Sequence, residues 1–129
     1  MIFKGVKIRF DCKNNQQFTG IGEFWKHMRD LYPNDSLKGV GCNWDNDCLD
    51  YIIGDFVTAR NYNMCATIEC YPNAEYVEID LPDKGWQIYH CRINELASLY
   101  DEIYKDGALD YEIEEIDAYG NCKISILRV

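Results

Sequence analysis

Positive charge is scarce in this sequence: 13 Lys and Arg stand against 22 Asp and Glu in 129 residues, a formal net charge of −9. Affinity for phosphates is supplied mainly by Lys and Arg, so the deficit argues against direct nucleic-acid binding and favours cationic or neutral partners. Long apolar runs are missing too. No stretch approaches the roughly 18 residues of a membrane span, and Met1-Ile2-Phe3-Lys4-Gly5-Val6-Lys7 has no basic segment leading into an apolar one. The expectation is a cytoplasmic protein with no membrane partner. Serine and histidine are few, namely Ser36, Ser98, Ser125, His27 and His90, and no nucleophile elbow, phosphate loop or dinucleotide fingerprint is present. The seven cysteines include no Cys-x-x-Cys pair. A zinc set drawn from Cys65, Cys70, His90 and Cys91 has the wrong spacing, so small reduced thiols are expected, with neither metal nor cofactor.

What the chain does have is one domain's length, an ordinary apolar fraction of 47%, and an excess of aromatics, with 10 Tyr, 5 Phe and 3 Trp. A single domain over residues 1–129 is expected. Val6, Ile8 and Phe10 alternate with Lys7, Arg9 and Asp11, the period of a half-buried strand. After a polar connection from Asp11 to Gly20, Ile21, Phe24, Trp25, Met28, Leu31 and Tyr32 form one helical stripe that stops before Pro33. Gly39–Trp44 and Tyr51–Val57 make a hairpin around Asp45-Asn46-Asp47. Thr58–Ala74 reads as an irregular excursion. Val77, Ile79 and Leu81 give another strand, joined through Pro82-Asp83-Lys84-Gly85 to a strand at Trp86–Cys91. Asn94 is the expected cap of a second helix with the stripe Leu96, Leu99, Tyr100, Ile103 and Tyr104, closed by Gly107. Strands at Tyr111–Tyr119 and Lys123–Val129 end the chain. The order strand, helix, strand, strand thus occurs twice, and the fold expected is α+β, with two helices on one face of an antiparallel sheet.

The chemistry concentrates at Asp101–Tyr119. Eight acids, Asp101, Glu102, Asp106, Asp110, Glu112, Glu114, Glu115 and Asp117, face one base, Lys105. Strand alternation divides them: Tyr111, Ile113, Glu115, Asp117 and Tyr119 share one face, and Glu112, Glu114, Ile116 and Ala118 the other. The first face sets Glu115 and Asp117 among aromatic and aliphatic neighbours. An acid inside an aromatic-lined concavity suits an amphipathic organic cation, each ring contact contributing about 0.5–2 kcal/mol.

These residues resemble the gyrase-inhibitor-like domain, which is also the effector-binding domain of AraC-type and MerR-type bacterial transcription activators. The resemblance runs over nearly the whole chain. Gly5-Val6-Lys7-Ile8-Arg9 leads into Ile21-Gly22-Glu23-Phe24-Trp25-Lys26-His27-Met28, similar to the family's helix with its Trp. Gly39-Val40-Gly41-Cys42-Asn43-Trp44-Asp45 and Leu49-Asp50-Tyr51-Ile52-Ile53-Gly54 are similar to its hairpin, and Trp86-Gln87-Ile88-Tyr89 stands where it has an aromatic strand before a helix ending like Ile103-Tyr104. The resemblance implies a duplicated strand-helix-strand-strand unit with a groove between the halves that binds lipophilic, often cationic, compounds. The family's buried Glu lies in an apolar-Glu-x-aromatic motif, best matched by Ile116-Asp117-Ala118-Tyr119, where Asp117 is one methylene shorter; Glu112, Glu114 or Glu115 takes the role in another register. The ligand-binding residues expected on this basis are Asp117, Glu115, Tyr119, Tyr51, Trp44 and Trp25. No basic helix-turn-helix is left over, so the expectation is a stand-alone effector domain for cationic or aromatic small molecules. Two alternatives follow from relatives: a hydrolase of cyclopropane-bearing DNA alkylators, and a protein inhibitor of a DNA-handling enzyme such as gyrase. The expected partners therefore include a regulator or gyrase, and a homodimer paired through an edge strand at Lys123–Val129.

Overall fold

The opening alternation becomes β1 (Ile2–Asp11) in a computed structural model of the chain, which describes residues 1–56 and 62–129. Its inward residues Val6 and Ile8 are buried while Lys7 and Arg9 reach outward. The first helix, α1 (Gln16–Leu31), starts five residues before the expected stripe. The reason is local: Asn14 and Asn15 take left-handed φ of 55° and 59°, which asparagine tolerates, and so turn the chain into the helix early. Strands β2 (Lys38–Cys42) and β3 (Cys48–Asp55) form the expected hairpin, with Asn43 in the left-handed region and the Asp45 carboxylate accepting from the Asp47 and Cys48 amides. Val57 lies outside the described residues.

The supposed irregular excursion contains a helix, α2 (Met64–Cys70), which the Asn63 side chain caps by accepting from the Ala66 amide; residues 58–61 of that stretch lie outside the described residues. Strands β4 (Glu75–Asp80) and β5 (Gln87–Arg92) follow. The second amphipathic helix, α3 (Leu96–Lys105), is entered through a short 3-10 turn. Here Glu95, not Asn94, does the capping, its carboxylate accepting from the Arg92 amide at 2.9 Å. Strand β6 (Leu109–Ile116) ends three residues sooner than expected because Asp117-Ala118-Tyr119-Gly120 is a turn, with Gly120 at φ +80°, before β7 (Asn121–Arg128).

All seven strands form one antiparallel sheet in the order β4-β1-β3-β2-β6-β7-β5. The protein is thus α+β: among the described residues there are three α-helices and a seven-stranded antiparallel sheet, with α1 and α3 packed on one face of it. The edges are β4 and β5. Lys123–Val129 was expected at an edge, but β7 lies inside the sheet, paired on both sides.

Because β4 and β5 are consecutive yet lie at opposite edges, the sheet cannot be flat. Six intervals of roughly 4.8 Å span about 29 Å. The seven Cα steps from Asp80 to Gln87 reach at most about 25 Å. The sheet therefore coils, and the linker closes over one face, burying Leu81 with Phe3, Val40, Ile52 and Ile113 and packing Trp86 against them. That face, away from α1 and α3, is filled by the protein's own second core. The opposite face carries α1 over Val6, Ile8, Leu49, Tyr51 and Ile53, and α3 over Leu109, Ile124 and Ile126. No helix among the described residues is long and apolar enough to cross a membrane.

Candidate functional site

The site begins with two glycines. On β2, Val40 points into the second core, so Gly39 and Gly41 face the helices and leave that side of the strand bare. Large side chains from the neighbouring strands lie over them. A Cβ on Gly39 would stand 2.1 Å from the Tyr51 hydroxyl oxygen, and one on Gly41 would stand 2.9 Å from Cγ of Glu112. In the β2–β6 register Gly41 opposes Glu112 and Gly39 opposes Glu114. Both glutamates therefore rise from the middle of the sheet on the side facing α1 and α3.

Above them is a cavity of about 800 Å³ between the two helices, walled by Phe18, Ile21 and Trp25 of α1, Leu96, Tyr100 and Tyr104 of α3, and Trp44 from the β2–β3 loop. Tyr51, Glu112 and Glu114 contribute to its floor. The carboxylates are 5% and 8% exposed, and the described residues include no Lys or Arg in an ion pair with either. Each is instead held by a phenol. Tyr104 donates to Oε2 of Glu112 at 2.8 Å, and Tyr51 to Oε2 of Glu114 at 2.6 Å. Trp25 Nε1–H in turn donates to the Tyr51 hydroxyl at 3.0 Å. Its ring face is taken by the Arg29 guanidinium, 4.7 Å from the ring centre. Trp25 therefore orients Tyr51, while Trp44 and the stacked pair Tyr100 and Tyr104 offer aromatic surface to the cavity. The buried Tyr100 hydroxyl has no hydrogen-bond partner among the described residues.

Burial without an ion-paired cation dictates the protonation chemistry, since moving an ionised carboxylate out of water costs several kcal/mol. Desolvation pushes Glu112 up from 4.5 to about 8, the Tyr104 hydrogen bond opposes this and the nearby Glu114 charge adds to it. Glu114 is raised by desolvation as well, with Tyr51 and then Arg29 pulling the other way. Desolvation and the glutamate charges hold Tyr51, Tyr100 and Tyr104 above the ordinary phenol value, so they stay donors. Burial thus disfavours negative charge on both carboxyls of the floor.

The expected site residues divide cleanly. Trp25, Trp44 and Tyr51 line the cavity. Glu115, Asp117 and Tyr119 do not, which corrects the choice of face. Tyr111 and Ile113 belong to the second core, so the face they share with Glu115 turns away from the helices. Glu115 lies 3.8 Å from Lys123 across the strand pair. Asp117 is past the end of β6, where its carboxylate accepts from the Tyr119 and Asn121 amides and the Asn121 side chain, and these bonds hold it below the usual carboxylate range. Tyr119 is 81% exposed in the same turn. The alternation itself is correct, with a bulge between Leu109 and Tyr111 that turns Leu109 to the helix side. A signal for the face that meets the cavity was present in Gly39-Val40-Gly41: glycines on one side of a strand and valine on the other reserve space where the glycines point.

Among the described residues no three His, Cys, Asp or Glu side chains cluster to hold a metal ion. Comparison of the chain with protein-family models and with curated proteins finds no match to either.

Proposed function

We propose that the cavity between α1 and α3 is a ligand groove for lipophilic organic cations, with Glu112 and Glu114 supplying the counter-charge and Trp44, Tyr100 and Tyr104 the aromatic contacts. The observation that carries this reading is a pair of buried carboxylates that, among the described residues, no Lys or Arg meets in an ion pair, on the floor of a cavity large enough for a drug-sized molecule. A cation entering there gains Coulombic attraction in a poorly screened site and restores the ionised form that burial disfavours. Trp25 and Arg29 shape the α1 wall, and Tyr51 aims the Glu114 carboxylate.

Chain order supports reading the fold as a duplicated strand-helix-strand-strand unit. The segments β1-α1-β2-β3 and β5-α3-β6-β7 lie in the spatial orders β1-β3-β2 and β5-β7-β6, and would meet at the β2–β6 pair beneath the cavity. This agrees with the resemblance to the gyrase-inhibitor-like effector domain, and the role of stand-alone effector-binding domain rests on that resemblance.

One observation favours a second reading. A carboxyl group with a pKa near 8 beside a phenol suits the role of general acid in opening a strained ring. Titrating an ethidium-type or rhodamine-type cation against tryptophan fluorescence separates the two. The binding reading predicts saturable change that weakens at least tenfold in Glu112→Gln and Glu114→Gln, with the cation recovered unaltered; turnover of a cyclopropane-bearing alkylator that Glu112→Gln abolishes would favour the hydrolase.

A further inference from the structure

Strands β5 and β7 bring two thiols face to face. Cys91 and Cys122 are direct partners in the antiparallel register, so their side chains project as neighbours from the same face of the sheet. Opposed residues in such a ladder have Cα atoms about 4.5 or 5.5 Å apart, depending on the pair type, and both values fall within the roughly 4.4–6.8 Å that a disulfide spans. The two differ in access. Cys91 sits half-buried on the edge strand, whereas Cys122 is 2% exposed, its thiol pushed up to about 11 by burial and then by the neighbouring Cys91. No other arrangement of the cysteines matches this one. Cys48 opposes Asp11, one residue out of register with Cys12. Cys65 and Cys70 are five residues apart on α2, which turns their side chains about 140° away from each other.

We propose that Cys91 and Cys122 are a redox modification site, a cross-strand dithiol that a hydroperoxide oxidises to a disulfide. The Cys91 thiolate attacks the peroxide, the O–O bond breaks, an alcohol or water leaves, and Cys91 becomes a sulfenic acid. Sγ of Cys122 then attacks Sγ of Cys91, the S–O bond breaks and water departs. Two electrons pass from the sulfurs to the peroxide, and the two thiol protons leave in the alcohol and the water. The bond would fasten the edge strand β5 to the sheet interior. It would also act next to the cavity, because Cys122 pairs with Ile116 on one side, while Ile93 and Leu96 follow directly after β5; all three line the cavity.

The test uses the whole chain treated with hydrogen peroxide, followed by alkylation of remaining thiols and peptide mapping without reduction. The expected result is a fall in alkylatable thiols from seven to five and a linked peptide pair holding Cys91 and Cys122, reversed by dithiothreitol. Cys91→Ser, at the more exposed position, should fold and lose the link, and a Cys12→Ser, Cys48→Ser variant should keep it. Linkage only among other cysteines, or Cys91 passing to sulfinic acid while Cys122 remains alkylatable, overturns the proposal.

Discussion

The Tyr51 hydroxyl donates a 2.6 Å hydrogen bond to Oε2 of Glu114 across the centre of the sheet, joining residues 63 positions apart in the chain. Tyr51 comes from β3 and Glu114 from β6, and the strand between them, β2, is bare on that side because of Gly39. Gly39→Ala should therefore disturb the site by overpacking: the added methyl meets the Tyr51 hydroxyl at 2.1 Å and Cζ2 of Trp25 at 2.9 Å. A loss of about 1–3 kcal/mol is expected in denaturant titration, with a change in Trp25 fluorescence, since Tyr51 must move.

Stability should fall as pH rises from about 4.5 to about 8. Glu112 titrates near 8 when folded and from 4.5 when unfolded. Between those values the folded chain keeps a proton that the unfolded chain has lost, so the contribution is complete below 4.5 and is lost as pH passes through 8, at up to about 1.4 kcal/mol per pH unit. Asp45 and Asp117 are shifted downward and act below this window. Thermal melts from pH 5 to 8 should show the slope in the wild type and a flatter profile in Glu112→Gln; equal slopes would contradict the assignment.

Tyr104→Phe should extend the same decline to higher pH. Its hydroxyl favours the ionised form of Glu112, so removing it moves the carboxyl's midpoint above about 8 and weakens cation binding at neutral pH. Carbon-13 NMR of the labelled Glu112 carboxyl would follow the shift directly.

Asp117→Asn and Tyr119→Ala should leave cation affinity within a factor of two. Both lie in the β6–β7 turn, outside the cavity. Asp117→Asn should lower the melting temperature above pH 4 by weakening the turn; a tenfold loss of affinity in either variant would return the site to that turn.

Much of this architecture is legible in the sequence because it is periodic. The stripe Phe24, Trp25, Met28 and the stripe Leu99, Tyr100, Ile103 specify the helices that wall the cavity. The alternation from Tyr111 to Ile116 divides the acids between the two faces of β6 but does not decide which face meets the helices. That depends on the second core beneath the 81–86 linker, assembled from Phe3, Val40, Ile52, Leu81 and Ile113, residues distant in sequence. Asp117 looked like part of a strand because no proline or glycine precedes Gly120. Its own carboxylate makes the turn, by accepting the backbone amides of Tyr119 and Asn121.

The central claim, that a buried and largely protonated Glu112 ionises to receive a cation, is tested most directly by counting protons on binding. Calorimetric titration of an ethidium-type cation at pH 7, in two buffers of different ionisation enthalpy, should show release of about 0.9 proton per cation bound, the fraction of a group titrating near 8 that is protonated at that pH. Glu112→Gln should bind more weakly and release distinctly less than the wild type. Tight binding without proton release, or the same release in Glu112→Gln as in the wild type, would contradict the account.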